Sequence, residues 1–242
     1  MAERVRVQKA IAHAGLMSRR AAEEAISAGR VRIDKRLVVL GDRVDVDAES
    51  VFIDDALIPV NPARETHLLY KPTGVISTAH DPGGRPTVVD LVRSPTRLYP
   101  VGRLDADSEG LILLTNDGEM ANLVTHPRYG VTKKYLVLLE GKASRSTVSR
   151  FAEGIMLDDG LAKALSARIV DQSDDQTMVE MTMGEGRNRE IRRMAESVGY
   201  RVVRLVRTAI GPIVDGRLRS GESRRLSPDE VWSLTRSATD PQ

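Results

Sequence analysis

The spacing of apolar residues near the start of the chain predicts a small module of helices and strands. Apolar side chains recur at helical spacing over residues 7–14, and Ser18 is well placed to cap a second helix that ends near Gly29. Residues 31–33 and the alternation over residues 44–53 are typical of short strands. The pattern therefore predicts two short helices followed by small strands.

A linker with two prolines follows this module. Residues 59–65 include Pro59 and Pro62, and proline interrupts both helices and strands. We therefore assign residues 1–62 to a first domain with its linker, and residues 63–242 to a second domain.

The second domain mixes predicted strands and helices without a regular order. They do not alternate as in a β-α-β protein, so the pattern favours the α+β class. A Ser-Pro-Asp-Glu sequence from Ser227 predicts the start of a last helix, and we expect residues 237–242 to be disordered. The predicted strands cover residues 67–70, 133–139, 178–183 and 202–206, and the other predicted helices cover residues 119–125, 146–153 and 191–198.

Composition restricts the class of protein. The chain has 242 residues, of which 41% are apolar and 29% are charged, enough for a hydrophobic core in a soluble protein. No apolar run approaches the roughly 18 residues of a membrane span, and the first residues lack the apolar core of a signal peptide. The chain has no cysteine, which excludes disulfides, thiolate metal sites and cysteine nucleophiles. We therefore expect a cytoplasmic protein with no membrane partner.

Charge is distributed unevenly along the chain, although the net charge is only +2. Residues 1–36 carry a net charge of +5, residues 37–63 carry −5, and residues 181–225 carry +6 with eleven arginines. Two basic blocks in a nearly neutral chain suggest an electric field that steers a polyanion. The alternative is ordinary solvated surface charge.

One polar loop carries the strongest candidate for chemistry. Asp105 lies between Gly102 and Gly110, with Arg103 two residues before it and an apolar run over residues 111–114 behind it. A functional carboxylate is often presented on a loop by such a rigid element. From the residues alone, the alternative is a polar loop with helix-capping acids.

Other catalytic signatures are weak or absent. Asp107 and Glu109 could form a glycosidase pair with Asp105, but such a pair needs two carboxylates that converge across a bond. The sequence has no G-x-x-x-x-G-K-[ST], H-E-x-x-H or G-x-S-x-G motif, and its four histidines show no metal-ligand spacing. Residues 184–186, Gly-Glu-Gly, lack the third glycine of a dinucleotide loop. We therefore expect no metal and no nucleotide cofactor.

Three segments resemble known families. The Gly-Arg-Leu-Asp loop, continued through Asn-Asp-Gly at residues 116–118, resembles the catalytic motif of the RsuA-type ribosomal RNA pseudouridine synthases. Residues 5–34, with Ser-Arg-Arg and Gly-Arg-Val, resemble an S4 RNA-binding domain, although Asp-Lys at residues 34–35 stands where that family usually has Asn-Gly. Residues 186–193, Gly-Arg-Asn-Arg-Glu-Ile-Arg-Arg, look more like the large-subunit (RluB-like) members than the small-subunit members.

The resemblance implies a fold and a reaction. A small S4-type αα-β domain would precede a catalytic domain with a mixed, mainly antiparallel sheet and flanking helices. The reaction would convert uridine to pseudouridine: the N1–C1′ bond breaks, the uracil rotates, and C5 bonds to C1′. No redox change or group transfer occurs, so no cofactor is required. Asp105 would attack the sugar as a nucleophile or remove a sugar proton as a base, and the sequence leaves both roles open.

The resemblance also implies roles for residues around Asp105. Arg192 matches the basic residue expected to pair with Asp105 and keep it charged, although it could instead pair with Glu196 within a helix. Tyr135 matches a ring that packs against the target base, with an ordinary core aromatic as the alternative. The implied substrate-binding set is Arg103, which would help to flip the nucleotide, Tyr135, Arg187, Arg192, and Leu205, which would line the pocket.

A second set of basic residues is expected to contact RNA. Arg19 and Arg20 fall in the first turn of the second predicted helix, where the positive end of the helix dipole disfavours them. A bound phosphate would resolve this conflict, and exposure to water is the alternative. The implied RNA-binding set is Lys9, Arg19, Arg20, Arg30, Arg32 and Arg189.

The interpretation is therefore a monomeric enzyme whose partner is ribosomal RNA or a pre-ribosomal particle. A catalytically silent RNA-binding assembly factor on the same fold is the first alternative, and the combination of Asp105, Tyr135 and Arg192 argues against it. A carboxylate-dependent hydrolase is the second alternative, and the S4-like module and the arginine blocks argue against it.

Overall fold

The computed structural model describes residues 4–46, 48–58 and 64–239. Most of the predicted linker, together with the predicted domain boundary, lies outside these residues. The chain forms two compact units. The first comprises Met1–Glu65, Arg93–Tyr99 and Thr115–Gly118, and the second comprises Thr66–Val92, Pro100–Leu114 and Glu119–Gln242.

The S4-like region contains two helices and a set of short strands. The helices are α1 (Val7–His13) and α2 (Arg19–Ser27), and the strands are β1 (Val5–Arg6), β2 (Val31–Ile33), β3 (Arg36–Leu37), β4 (Arg43–Val44), β5 (Val51–Ile53) and β6 (Ala56–Ile58). β2 lies between β3 and β5, β6 pairs with β5, and these pairs are antiparallel. The two predicted helices and the small strands after them are present, and the short strand β1, which the pattern does not predict, precedes α1 and pairs with β4.

Local chemistry explains where α2 begins and how the first hairpin turns. The Ser18 hydroxyl accepts a hydrogen bond from the Ala21 N–H at 3.1 Å, which is the cap that the sequence predicts. Asp34 adopts a left-handed backbone conformation with a φ of 50° between β2 and β3. Aspartate tolerates this conformation better than most residues. Asp34 therefore makes the turn for which the S4 resemblance implies Asn-Gly.

The rest of the chain forms a large mixed sheet, a separate two-stranded hairpin and flanking helices. The strands are β7 (Thr66–Lys71), β8 (Tyr99–Val101), β9 (Glu109–Thr115), β10 (Lys133–Glu140), β11 (Ile155–Leu157), β12 (Gly160–Ala162), β13 (Ala164–Gln172), β14 (Gln176–Met183), β15 (Val202–Ile210), β16 (Ile213–Val214) and β17 (Ser223–Arg225). The helices are α3 (Gly118–Thr125), α4 (Arg145–Glu153), α5 (Glu190–Ser197) and α6 (Pro228–Thr239).

The strand order of this sheet is β13-β14-β10-β15-β9-β7-β17, with β16 paired to β15 and β8 paired to β9. β15 and β9 are parallel. The pairs β13–β14, β14–β10, β10–β15, β15–β16 and β7–β17 are antiparallel. The predicted α+β class with a mainly antiparallel sheet is therefore confirmed.

Strand β9 connects the core of the sheet to the aspartate loop. Residues 111–114 are each no more than 1% exposed, so both faces of the strand are buried. Gly110 has a φ of 105°, and a Cβ at this position would lie 2.3 Å from the carbonyl oxygen of Arg207. Glycine therefore lets β9 and β15 approach closely, and this approach fixes the aspartate loop beside β15.

The last helix extends further than the sequence predicts. α6 continues to Thr239, and Ala238 is only 2% exposed within an apolar cluster. The prediction of disorder is therefore wrong for residues 237–239, because packing holds the helix end, and residues 240–242 lie outside the described residues. In the described part of the chain, no helix is both long and apolar enough to cross a membrane.

Candidate active site

A cavity of about 190 Å³ opens beside the aspartate loop in the second unit. Asp105, Tyr135 and Leu205, which the sequence analysis assigns to one site, all line it. The other lining residues come from the aspartate loop, from β14 and from the region around the start of α5: Arg103, Leu104, Ser108, Met183 and residues 185–191. The fold thus brings together segments that are far apart in the sequence.

Backbone hydrogen bonds hold the loop around Asp105. The Ser77 hydroxyl donates to the Leu104 carbonyl oxygen at 2.8 Å and accepts from the Leu104 N–H at 3.1 Å. The Gly74 N–H donates to the Ala106 carbonyl oxygen at 2.7 Å. Gly74 and Ser77 both follow β7, so the segment after this strand orients the aspartate loop. The Asp105 side chain is 27% exposed, which leaves its carboxylate accessible to a ligand.

Arg189 forms an ion pair with Asp105. Its Nη1 lies 3.9 Å from Asp105 Oδ2, and the same guanidinium donates to both carboxylate oxygens of Asp107, at 3.2 and 3.1 Å. Arg189 precedes α5 in a left-handed conformation with a φ of 47°, which a residue with a side chain keeps only when neighbouring contacts hold it. The sequence analysis expected Arg189 to contact RNA, and the structure places it on the cavity wall beside both carboxylates.

Arg192 contacts Asp107 rather than Asp105. Its Nε lies 3.4 Å from Asp107 Oδ2, its Nη2 donates to the Asp107 carbonyl oxygen at 3.0 Å, and its Nη1 donates to the Val202 carbonyl oxygen at 3.1 Å. The side chain is only 9% exposed. The predicted ion pair between Arg192 and Asp105 is therefore wrong, because the guanidinium is committed to Asp107 and to β15. Arg192 anchors the aspartate loop.

Asp107 is a fixed negative charge between these arginines. Burial opposes its ionisation, but the hydrogen bonds from Arg189 and the charge of Arg192 outweigh burial, so the pKa of Asp107 lies below its usual value. The sequence analysis considered Asp107 only as half of a glycosidase pair, since an anchor for arginines from a distant helix leaves no local signal. Within the described residues, no group of three His, Cys, Asp or Glu side chains could hold a metal ion.

Arg187 braces the hairpin of β11 and β12 beside the cavity. Its Nε lies 3.2 Å from Glu190 Oε1, and its Nη2 lies 2.8 Å from Glu185 Oε1. Its Nη1 donates to Asp159 Oδ1 at 3.2 Å and to the Gly160 carbonyl oxygen at 3.3 Å. Every nitrogen of the guanidinium is engaged within the protein. These bonds give Arg187 a structural role, and its expected contact with the substrate stays a prediction, since the residue also lines the cavity.

Tyr135 and Leu205 form the apolar part of the cavity. They lie on the neighbouring strands β10 and β15 and are 8% and 6% exposed. Leu205 is paired with Val137, two residues beyond Tyr135, so the side chains of Tyr135 and Leu205 leave the same face of the sheet. Arg103 lines the cavity too, with an exposed side chain. An aromatic ring beside a branched aliphatic side chain suits a flat ligand.

Two predicted RNA contacts of the first unit are already paired with acids. Arg30 Nε donates to Asp54 Oδ1 at 2.8 Å, and Arg32 forms an ion pair with Asp55. The acidic segment thus folds back on the basic segment that precedes it. This neutralisation makes the field of the first unit weaker than the separate charge blocks suggest.

Arg19 and Arg20 are better placed for RNA than Arg30 and Arg32. Arg19 and Arg20 are exposed at the first turn of α2, and Lys9 is half-buried in α1. The predicted conflict between two arginines and the positive end of the α2 dipole is therefore present, with both side chains accessible to a phosphate.

The sequence analysis missed a buried lysine behind the aspartate loop. Lys71 is fully buried, and its Nζ donates to the carbonyl oxygens of Val75 at 2.8 Å and Pro72 at 2.9 Å. Burial lowers the pKa of Lys71 to about 8, although the negative charges of Asp105 and Asp107 act in the opposite direction. A lysine in Lys-Pro-Thr-Gly, directly at the end of an apolar strand, was the available signal.

Ser108 is a second residue that the sequence analysis did not assign. Its hydroxyl is buried and has no hydrogen-bond partner among the described residues, although Ser108 lines the cavity. A buried hydroxyl without a partner is unfavourable, so this group is suited to bond a ligand.

Two protein-family models match this chain. The RNA pseudouridylate synthase family model matches residues 65–197, and the S4 domain model matches residues 5–50. The chain therefore belongs to the RNA pseudouridylate synthase family, and it carries an S4 domain. The resemblances to the pseudouridine synthases and to the S4 domain are confirmed, and the protein is an enzyme of the pseudouridine synthase class.

Similar proteins match over nearly the whole chain. An uncharacterised RNA pseudouridine synthase of Mycobacterium leprae is 44% identical over 235 residues, which cover 95% of this chain and 92% of that protein. Ribosomal large subunit pseudouridine synthase B of Bacillus subtilis is 39% identical over 239 residues, which cover 95% of each chain. A crystal structure of a pseudouridylate synthase shares 31% identity with a TM-score of 0.67 and covers 95% of this chain and 99% of that chain.

Proposed function

We propose that this enzyme converts a specific uridine of ribosomal RNA, in the large subunit, to pseudouridine, with Asp105 as its essential carboxylate. The observation that carries the proposal is the cavity in which Asp105 lies with Tyr135 and Leu205. The similarity to ribosomal large subunit pseudouridine synthase B supports the choice of RNA. We further propose that the enzyme acts as a monomer in the cytoplasm, on ribosomal RNA or on a pre-ribosomal particle.

The residues of the cavity suit the steps of this reaction. A uracil that leaves the RNA stack needs an apolar slot, which Tyr135 and Leu205 offer. The unpartnered hydroxyl of Ser108 offers a hydrogen bond to the base or the sugar. The carboxylate of Asp105 attacks C1′ as a nucleophile or removes a sugar proton as a base. Either path breaks N1–C1′ and forms C5–C1′, after which C5 loses a proton and N1 gains one, so the atoms balance without a cofactor.

Tritium release from RNA is expected without any added cofactor. Formation of the C5–C1′ bond expels the hydrogen on C5. Unmodified large-subunit ribosomal RNA transcripts with tritiated uracil C5 should therefore release tritium to water when only the protein and a chelator are present. Small-subunit transcripts are the matched control and should release none.

Other results of the tritium experiment would favour an alternative function, mechanism or substrate. Binding of the transcripts without tritium release would favour the silent assembly factor. A requirement for added metal or nucleotide would contradict the mechanism. Release from small-subunit transcripts alone would contradict the choice of subunit.

A comparison of Tyr135→Phe with Tyr135→Ala separates stacking from chemistry. Phenylalanine keeps the ring and should retain more single-turnover activity than alanine, because stacking contributes about 1–3 kcal/mol per base. Tyr135 is buried, so thermal unfolding of both variants is the control for a loss of packing. If both substitutions slow turnover equally, the hydroxyl participates in the reaction and the stacking role is wrong.

Removal of charge at Arg19 and Arg20 is expected to weaken RNA binding more than removal at Arg30 and Arg32. The first pair is exposed, whereas the second pair is already bonded to aspartates. The double change of Arg19 and Arg20 to glutamine should lower the slope of log K against log salt by about 1.4, because each of two lost single-strand phosphate contacts contributes about 0.7. The same change at Arg30 and Arg32 should lower it much less. Equal slopes for the two double variants would contradict the assignment.

A further inference from the structure

A half-buried lysine, Lys133, lies on the same strand as Tyr135 and is paired with Met183, and both of these neighbours line the cavity. We propose that Lys133 binds a backbone phosphate of the RNA strand, next to the uridine that enters the cavity. This inference rests on the proposed function of the cavity, and it adds a binding residue that the sequence analysis did not assign.

The register of the sheet places Lys133 beside the cavity. Lys133 and Tyr135 are two residues apart on β10, so their side chains leave the same face of the strand. Lys133 is directly paired with Met183 on β14, and Met183 lines the cavity. Lys134 points to the opposite face, where its Nζ lies 4.0 Å from Glu180 Oε2.

The ammonium group of Lys133 has no compensating partner in the described part of the chain. It makes no ion pair and no side-chain hydrogen bond with any described residue, and its charged neighbour is another cation, Arg207. Burial, and then repulsion by Arg207, lower the pKa of Lys133 to about 8. Two positive charges together in a partly dehydrated site are unfavourable until an anion joins them.

The position of Arg207 is fixed within the sheet. The residue is 4% exposed, its Nε donates to the Leu111 carbonyl oxygen at 2.6 Å, and its Nη1 donates to the Arg103 carbonyl oxygen at 3.4 Å. Its Nη2 is buried without a hydrogen-bond partner among the described residues. Arg207 therefore contributes a fixed positive charge with unused hydrogen-bonding capacity near Lys133.

Lys71 is a buried lysine whose charge is partly compensated by groups within the protein. The Nζ of Lys71 donates to two carbonyl oxygens, and the charges of Asp105, Asp107 and Glu109 oppose the lowering of its pKa by burial and by Arg207. Lys133 has neither kind of partner among the described residues. The charge of Lys133 is therefore available to a bound anion.

The chemistry of the site selects a phosphodiester as that anion. A lysine ammonium is a compact charge with three donors, which suits a phosphate oxygen. An RNA strand that delivers a base to Tyr135 carries its negatively charged backbone along the same rim of the sheet. Lys133 then contacts the strand at a position that the stacking residues do not reach, and so contributes to the orientation of the target nucleotide.

Two single substitutions on opposite faces of β10 test this contact. Lys133→Met and Lys134→Met each remove one positive charge, and binding of a fluorescent oligouridylate is measured in the Asp105→Asn background, where no turnover is expected. Lys133→Met should bind more weakly, with the slope of log K against log salt lower by about 0.7. Lys134→Met should match its parent in affinity and slope. Because the charge of Lys133 is uncompensated in the free protein, Lys133→Met should unfold at the same or a higher temperature than its parent.

The outcomes distinguish this inference from the proposed function. Weaker binding with a smaller slope in Lys133→Met alone supports the phosphate contact. Equal affinity and slope in the two variants overturns it, and a lower unfolding temperature with an unchanged slope assigns Lys133 to the structure instead. Turnover of large-subunit transcripts by the wild-type protein is measured in parallel. A slope change at Lys133 without such turnover keeps the phosphate contact and refutes the proposed function.

Discussion

Replacement of Asp105 by asparagine is expected to abolish turnover while the fold and the RNA affinity stay intact. Asparagine has nearly the same shape but cannot ionise, and both proposed roles of Asp105 need a carboxylate. Loss of a general base slows a reaction by about 10²–10⁴-fold, and loss of a nucleophile removes the reaction path. Single-turnover rates at saturating enzyme, thermal unfolding and RNA binding together measure the effect.

Asp107→Asn is the matched control for this variant. Asp107 lies in the same loop but bonds to Arg189 and Arg192, and asparagine keeps an acceptor oxygen for them. Weakened hydrogen bonds to charged groups correspond to roughly 1.5–3 kcal/mol, or about a 10- to 100-fold slower rate. An Asp105→Asn protein that still makes pseudouridine, or an Asp107→Asn protein that is the more damaged of the two, would refute the catalytic assignment.

Substitutions of the two arginines next to the aspartate loop, Arg192 and Arg189, are expected to differ in their effects on stability and turnover. Arg192→Met removes a guanidinium that is 9% exposed and leaves the carbonyl oxygens of Val202 and Asp107 without this donor. The free energy of unfolding should fall by about 1–3 kcal/mol for each buried group left unpaired. Turnover should fall as well, since the loop loses its anchor. Arg192→Lys should recover part of the stability and part of the turnover, because lysine keeps the positive charge but lacks the planar guanidinium group.

Arg189→Met should instead slow turnover with little loss of stability. Its side chain is 45% exposed, and partly exposed ion pairs contribute about 1 kcal/mol or less. Turnover should depend on Arg189 because this arginine is paired with the Asp105 carboxylate. Urea unfolding and single-turnover rates of both methionine variants provide the comparison. If Arg189→Met loses as much stability as Arg192→Met, the division between a site residue and a loop anchor is incorrect.

Local chemistry explains why most elements could be predicted from the sequence. The cap at Ser18 depends on a single short hydrogen bond, and the buried run over residues 111–114 needs only apolar side chains. The end of α6 was misjudged because it depends on the packing of Ala238 against residues elsewhere in the sheet, which composition alone does not reveal. Predictions therefore failed where a non-local contact decided the outcome.

The same distinction between local and non-local contacts applies to the candidate site. Asp105, Tyr135 and Leu205 could be assigned one at a time, from a loop motif and from the resemblance to a family. The partners of Arg187 and Arg192 could not, because the orientation of α5 decides which acidic group each guanidinium meets. Lys133 was missed for a related reason, since an uncompensated charge becomes visible only when all the neighbours of a side chain are known.

The anchored aspartate loop also determines when during synthesis an active molecule can exist. The arginines that hold this loop follow their partners by 82 to 104 residues along the chain. Contacts over such separations form late, because the entropy of closing the intervening chain must be overcome first. At about 5–20 residues per second, a ribosome takes roughly 5–20 s to deliver them after the loop has been made. Until these arginines have been made and have reached their partners, a nascent chain carries the catalytic motif without a working site.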